Sequence, residues 1–218
     1  MKPILIVNHL NVKVGDRTLI RDLSFKIIPG TLTCITGGNG VGKTTLMKTL
    51  LRNYSRTGKH VRFTVPRHKV QYIPQFRNID TEFPLTVKDF VSLSLQDTWL
   101  PWLTRREHKA LKQTLQLTHL TKLANEPLGE ASGGEQQRAF LAQALVTFPK
   151  LLIMDETTAS LDINAKVALL KLVHDIVKQR HVAVMFITHD PTLVKRFGNY
   201  KLRIKNQHGS FEKIGGRN

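Results

Sequence analysis

The sequence predicts an α/β fold with a mainly parallel sheet, preceded by an N-terminal antiparallel β subdomain and interrupted by an inserted α-helical subdomain. Three observations carry this prediction. From Ser132 to Ile187 short apolar runs alternate with helix-length amphipathic segments, the ordering that covers a parallel sheet with crossover helices. Between Thr31 and Leu51 a buried strand, a glycine-rich loop and a helix follow one another. The segment before Thr31 instead alternates apolar and polar residues with period two, as antiparallel strands with one solvated face do.

Taken in order, Leu23-Ser24-Phe25-Lys26-Ile27 is a clear example of that alternation, and Gly15-Asp16 and Pro29-Gly30 supply turn signals on either side of it. A buried strand is expected over Thr31–Thr36 and a helix from Lys43 to about Leu51. Residues 52–73 are basic and end in the apolar piece Val70-Gln71-Tyr72-Ile73. A helical pattern then runs from Thr86 to about Leu123, broken at Trp99-Leu100-Pro101-Trp102, which places an insert at approximately residues 76–130 of a single domain covering 1–218. Beyond it the pattern predicts a helix from Ser132 to about Phe148, a strand Leu151–Met154, an amphipathic helix from about Asn164 to Gln179 and a strand Val182–Ile187.

Composition narrows the class. At 218 residues the chain can bury one sizeable core, whereas two would be cramped. No apolar stretch approaches the roughly 18 residues that cross a bilayer, and the opening MKPILIVNHLNVKVGD does not read as a secretory signal, so a cytosolic or peripheral protein is expected. The single cysteine, Cys34, precludes an internal disulfide and reads as a packing thiol on a strand. Lys and Arg number 33 against 16 acids, a formal charge of +17, which favours anionic partners: nucleotides, nucleic acid or an acidic membrane leaflet. The densest basic stretch comprises Arg52, Arg56, Lys59, His60, Arg62, Arg67, His68 and Lys69. The nine histidines show no metal-ligand spacing.

Residues 37–44 read GGNGVGKT, which matches the phosphate-binding loop G-x-x-x-x-G-K-[ST]. The chemistry explains the spelling. Gly37, Gly38, Asn39, Gly40, Val41 and Gly42 can turn successive N–H groups into one concavity at a helix N-terminus. Lys43 reaches the outer phosphates, the Thr44 hydroxyl ligates Mg²⁺, and Thr45 continues the first turn. A glycine turn that merely precedes a helix would not require Lys43 and Thr44 together.

A hydrolase of this kind also needs a carboxylate near Mg²⁺ and a group that positions or deprotonates water. The run LLIMDE supplies both: Leu151–Met154 forms a strand, and Asp155 and Glu156 emerge at its C-terminal end, where open α/β sheets bind ligands. Asp155 is expected to hold Mg²⁺ through water, and Glu156 to act as general base. Upstream, ASGGEQQR places Ser132 and Glu135 in capping-box register. A cap does not need Gly133 and Gly134, which open a second anion-binding helix start with no lysine of its own.

GGNGVGKT, Gln75 in YIPQ, ASGGEQQR, LLIMDE, Ala159-Ser160-Leu161-Asp162 and His189 in ITHD follow one another as in an ABC (ATP-binding cassette) ATPase, and the chain resembles that family from about Ile4 to Ile204. The resemblance implies a P-loop NTPase core that binds ATP and Mg²⁺. It further implies that Ser132, Gly133, Gly134 and Glu135 serve the nucleotide of a second copy across a head-to-tail dimer, that Asp162 couples the two sites, that Gln75 senses Mg²⁺ and a membrane subunit, and that His189 contacts the γ-phosphate. Three positions depart from the family pattern: Ala131 in place of leucine, Thr157 in place of proline, and Val14 where an aromatic residue usually stacks on adenine.

The stretch QYIPQFRNIDTEFPLTVKDFVSL, Gln71 to Leu93, looks like the ATPase subunit of bacterial zinc and manganese importers, and Glu135 in place of glutamine resembles the zinc branch. That likeness implies an integral membrane permease as partner, a periplasmic or surface metal-binding protein reached through it, and a peripheral position on the cytoplasmic face of the plasma membrane. An exporter ATPase for haem or lipid would differ only in the partner. A non-transport cassette acting on nucleic acid or ribosomes would use the positive charge, but such proteins usually join two cassettes or carry a long coiled insert, so nucleic acid is the less favoured partner. For Trp99 and Trp102 a core role is preferred over docking of a membrane subunit.

Overall fold

The computed structural model describes residues 1–74, 79–80, 82–95, 102–155 and 161–215. It opens with a long antiparallel hairpin, β1 (Leu5–Val14) and β2 (Arg17–Ile27), joined by the two-residue turn Gly15-Asp16. Gly15 takes φ 56° there, the positive value that the tight hairpin turns require of their first residue. A short strand β4 (Val61–Phe63) pairs with the start of β1, so this sheet has the order β2-β1-β4.

The second sheet has the order β5-β6-β7-β3-β8-β9. Its strands are β3 (Leu32–Thr36), β5 (Val70–Ile73), β6 (Leu151–Asp155), β7 (Ala183–Ile187), β8 (Tyr200–Lys205) and β9 (His208–Lys213). All pairings are parallel except β8 with β9. Every residue of β6 and β7 is buried, because both faces of the sheet are covered. Leu151, Ile153, Met185 and Ile187 face helix α1 (Lys43–Arg52) and the antiparallel sheet. Leu152, Met154, Val184 and Phe186 face α4 (Gly133–Leu145), α5 (Ile163–Arg180) and α6 (Pro191–Phe197). Cys34 lies in this second layer, buried, and burial pushes its thiol up to about 12, so it is an inert packing group as expected.

Between β5 and β6 the chain forms α2 (Val87–Ser92) and α3 (Arg105–Leu117), both started by threonine caps, Thr86 and Thr104. Their apolar faces make a third cluster around Val87, Phe90, Leu111 and Leu115, which packs on Ala139 and Ala142 of α4. Helix α4 therefore has apolar partners on two sides, and it anchors these helices to the sheet.

The structure differs from the sequence reading at several points. Helix α4 ends at Leu145 rather than near Phe148, which adopts φ 52° and receives the Arg180 guanidinium over its ring at 5.1 Å. The strand β4, the hairpin β8–β9 and the helix α6 were not expected. Trp102 is 66% exposed, which corrects the core role preferred for it; Trp99 lies outside the described residues.

Candidate nucleotide site

Strand β3 delivers the chain to the glycine loop at the C-terminal edge of the parallel sheet, and α1 leaves from it. Two glycines there are required by geometry. A Cβ on Gly37 would stand 2.6 Å from the Ile204 carbonyl oxygen, and Gly42, the N-cap of α1, has φ 101°. A side chain at either position would clash or strain. Gly42 supplies no side-chain cap, so the first N–H groups of α1 stay open to an anion. A cavity of about 270 Å³ lies over this turn, lined by Asn39, Gly40, Gly42, Lys43, Thr44 and Thr45.

Lys43 is buried, at 6% exposure. Its ammonium donates to the carbonyl oxygens of Gly37 at 3.0 Å and Gly38 at 2.9 Å, so the cation is held inside the loop it would use to grip phosphate. Thr44, the next residue, donates from Oγ1 to Asp155 Oδ1 at 3.1 Å. The last residue of β6 thus meets the first turn of α1, although 111 positions separate them in sequence. Asp155 is 1% exposed, and a carboxylate so buried needs donors. Its second oxygen finds one in the Tyr72 hydroxyl, at 3.0 Å. Burial, then the charge of Asp155 and the hydrogen bond to it, raise the Tyr72 pKa well above the ordinary phenol range, so the tyrosine stays a donor.

The hydroxyl of Thr44 and the carboxylate of Asp155 form a compact pair of hard oxygen donors, the kind that suits Mg²⁺ when phosphate oxygens and water complete its shell. Among the described residues no group of three or more His, Cys, Asp or Glu side chains converges.

Ser132, Gly133, Gly134 and Glu135 occupy the N-terminus of α4. Glu135 Oε2 accepts from the Ser132 N–H at 2.8 Å and from its hydroxyl at 2.6 Å. These bonds from Ser132, followed by the nearby charge of Arg138, lower the Glu135 pKa against a smaller opposing effect of burial. The expected reciprocal cap is therefore present, yet it does not account for the glycines. A Cβ on Gly133 or Gly134 would meet its nearest neighbours at 3.7 and 3.8 Å, ordinary contact distances. Among the described residues, packing leaves both positions free to carry a side chain.

Asp162 caps α5, its Oδ1 accepting from the N–H groups of Asn164 and Ala165 at 2.8 and 3.0 Å. His189 follows β7 and lines a cavity of about 920 Å³ behind the loop, together with Gly37, Gly38 and Val41. Gln75 and Glu156, and with them Thr157, lie outside the described residues. Val14 stands at the exposed end of β1, at 56% exposure, while Leu19 of β2 lies against Gly42. Of the expected residues, the structure brings Lys43, Thr44 and Asp155 together with the loop. It adds one the sequence reading did not single out, Tyr72, whose only sequence signal was its place three residues before Gln75.

No helix among the described residues is long and apolar enough to cross a membrane. The family profile described as "ABC transporter" matches residues 20–159. The zinc import ATP-binding protein ZnuC of Haemophilus influenzae is 32% identical over 207 residues, 95% of this chain and 73% of that protein. A ZnuC of Yersinia pestis is 36% identical over 199 residues, 89% of this chain and 73% of the relative. The manganese transport system ATP-binding protein MntB of Halalkalibacterium halodurans is 30% identical over 216 residues, 95% and 85% of the two chains. Among solved structures, cbiO1 of Clostridium perfringens, part of the cbiONQ transporter complex, superimposes with a TM-score of 0.84 at 26% identity, covering 98% of this chain and 89% of that one. The loop, the buried carboxylate at the end of β6 and these likenesses agree, and the chain belongs to the ABC transporter family as an ATP-binding cassette ATPase.

Proposed function

We propose that this ATPase powers import of a divalent metal ion, zinc or manganese, and works as a head-to-tail homodimer on a separate integral membrane permease at the cytoplasmic face of the plasma membrane. The observation that carries the dimer is the division of the site within one chain. The loop, Lys43, Thr44 and Asp155 make one half, whereas Gly133 and Gly134 start a helix at a point that no described residue crowds. A second copy turned head to tail would bring Ser132 and Gly134 of each protomer onto the nucleotide of the other. The metal follows from the zinc and manganese relatives, which align with 89% and 95% of the chain. A periplasmic or surface metal-binding protein would hand the ion to the permease.

The whole chain is one cassette in this reading, with roughly residues 76–130 as the insert that meets the permease. A groove of about 760 Å³ between these helices and the core, lined by Gln71, Leu95, Ala110, Val146 and Phe148 among others, is a suitable seat for a permease segment. Mg²⁺ held by Thr44 and Asp155 would neutralise charge on the outer phosphates. Lys43 would bind the same phosphates, Glu156 would take the proton from the attacking water, and Gln75 and His189 would contact the metal and the γ-phosphate.

The test is reconstitution with the candidate permease in vesicles, followed by ATP-dependent uptake of zinc and of manganese. Transport of either, with co-purification of the permease, supports the proposal. Uptake of neither, alongside RNA binding that weakens steeply with salt, would replace it with the non-transport reading.

Val14 carries a separate prediction. Without an aromatic ring to stack on adenine, about 1 kcal/mol of base recognition is absent, a factor of roughly five. ATP and GTP should therefore be hydrolysed with kcat/KM values within about fivefold of each other. A Val14→Tyr variant should widen that ratio in favour of ATP; a strong ATP preference in the unaltered protein would count against this placement of Val14.

A further inference from the structure

We propose that Tyr72 is a positioning residue for the metal-binding carboxylate, fixing the plane of Asp155 so that Oδ1 faces Thr44 and the metal. The inference rests on the assignment of Asp155 as a Mg²⁺ ligand.

The geometry follows from sheet register. Strands β5 and β6 are parallel neighbours with Tyr72 opposite Ile153. Side chains two apart on a strand share a face, so Tyr72, Ile153 and Asp155 point to the same side of the sheet. Asp155 lies two residues further along, roughly 6.6 Å at the usual strand rise, a span that the length of a tyrosine side chain bridges. The Tyr72 ring packs against the core cluster that contains Ile153, and only its hydroxyl reaches the carboxylate, at 3.0 Å from Oδ2.

Such an anchor matters because the terminal torsion of an aspartate is soft and roughly two-fold. With Thr44 alone on Oδ1, the carboxylate could swing when the threonine hydroxyl turns to the metal. With Oδ2 held by Tyr72, the other oxygen keeps its direction throughout. The same strand has a second face: Gln71 donates to Thr147 Oγ1 at 3.2 Å and lines the groove between core and insert. Strand β5 therefore stands between that groove and the carboxylate.

Tyr72→Phe removes the hydroxyl and keeps the ring. ATP binding is measured by calorimetry for the wild type, Tyr72→Phe and Asp155→Asn, each with excess EDTA and with excess MgCl₂, alongside thermal melting. For Tyr72→Phe the expected result is an ATP affinity in EDTA within twofold of wild type and a magnesium-induced gain in affinity reduced about fivefold. Asp155→Asn should lose that gain almost entirely. A full magnesium gain in Tyr72→Phe, with Asp155→Asn impaired, would overturn the role of the tyrosine alone. Equal losses with and without magnesium, accompanied by a lower melting temperature, would overturn it in favour of a purely structural part. An intact gain in Asp155→Asn would instead remove the metal assignment on which it rests.

Discussion

Lys43→Ala is expected to weaken ATP binding about a hundredfold, close to 2.7 kcal/mol, with little loss of fold. The ammonium is almost fully enclosed and donates to two carbonyl oxygens of the loop, those of Gly37 and Gly38. In a site shielded from water a charge-assisted hydrogen bond to phosphate is worth roughly twice a neutral one, and removing one member of a buried charged pair costs about 2–5 kcal/mol. Lys43→Arg should not restore affinity, because a planar fork cannot fold back into a turn that encloses a single nitrogen. Titration calorimetry in MgCl₂ and thermal melting check both statements. Near-normal affinity in Lys43→Ala would mean that the loop amides alone bind the triphosphate.

The phosphate loop and the strand β6 were legible in the sequence because each is set by local rules. Glycine spacing followed by Lys43 and Thr44 leaves few alternatives, and once that loop is recognised the apolar run Leu151–Met154 before Asp155 reads as the buried strand that carries a carboxylate to the site. Helix α6 also had its signal, Asp190 as N-cap with Pro191 in the first turn. The hairpin β8–β9 was hidden by its turn. Asn206 and Gln207 both take positive φ, 50° and 64°, without the glycine that normally marks such a turn, and strand β8 has only Leu202 and Ile204 as buried residues among its cations. Strand β4 offers only Val61 and Phe63 as buried residues within the most basic stretch of the chain.

The role of Tyr72 was out of reach for a different reason. Its hydrogen bond spans 83 positions and depends on β5 lying beside β6 in one particular register, which no local pattern encodes. Likewise the capping box at Ser132 and Glu135 was legible, but only the structure shows that Gly133 and Gly134 have room for side chains. That room shows that the cap alone does not call for glycine at these two positions.

Glu156→Gln is expected to lower the rate of ATP hydrolysis by at least a hundredfold while leaving ATP affinity within about threefold of wild type. Asp155 is a poor candidate for the base: it is 1% exposed, and both of its oxygens accept hydrogen bonds, from Thr44 and from Tyr72. A carboxylate so buried and already engaged on both oxygens is better suited to holding a metal than to taking a proton from water. The next acid in the sequence is Glu156, and a positioned general base contributes typically 10²–10⁴-fold to such reactions. Glutamine keeps the size and the hydrogen-bonding reach but cannot take a proton. With binding retained and turnover stopped, ATP should accumulate on the protein and hold two protomers together, because a ligand that bridges both stabilises the pair by mass action. Phosphate release and size-exclusion chromatography with MgATP read the two effects separately. Wild-type hydrolysis by the variant would move the base elsewhere, whereas arrested hydrolysis with a strictly monomeric protein would retain the base and sink the head-to-tail dimer.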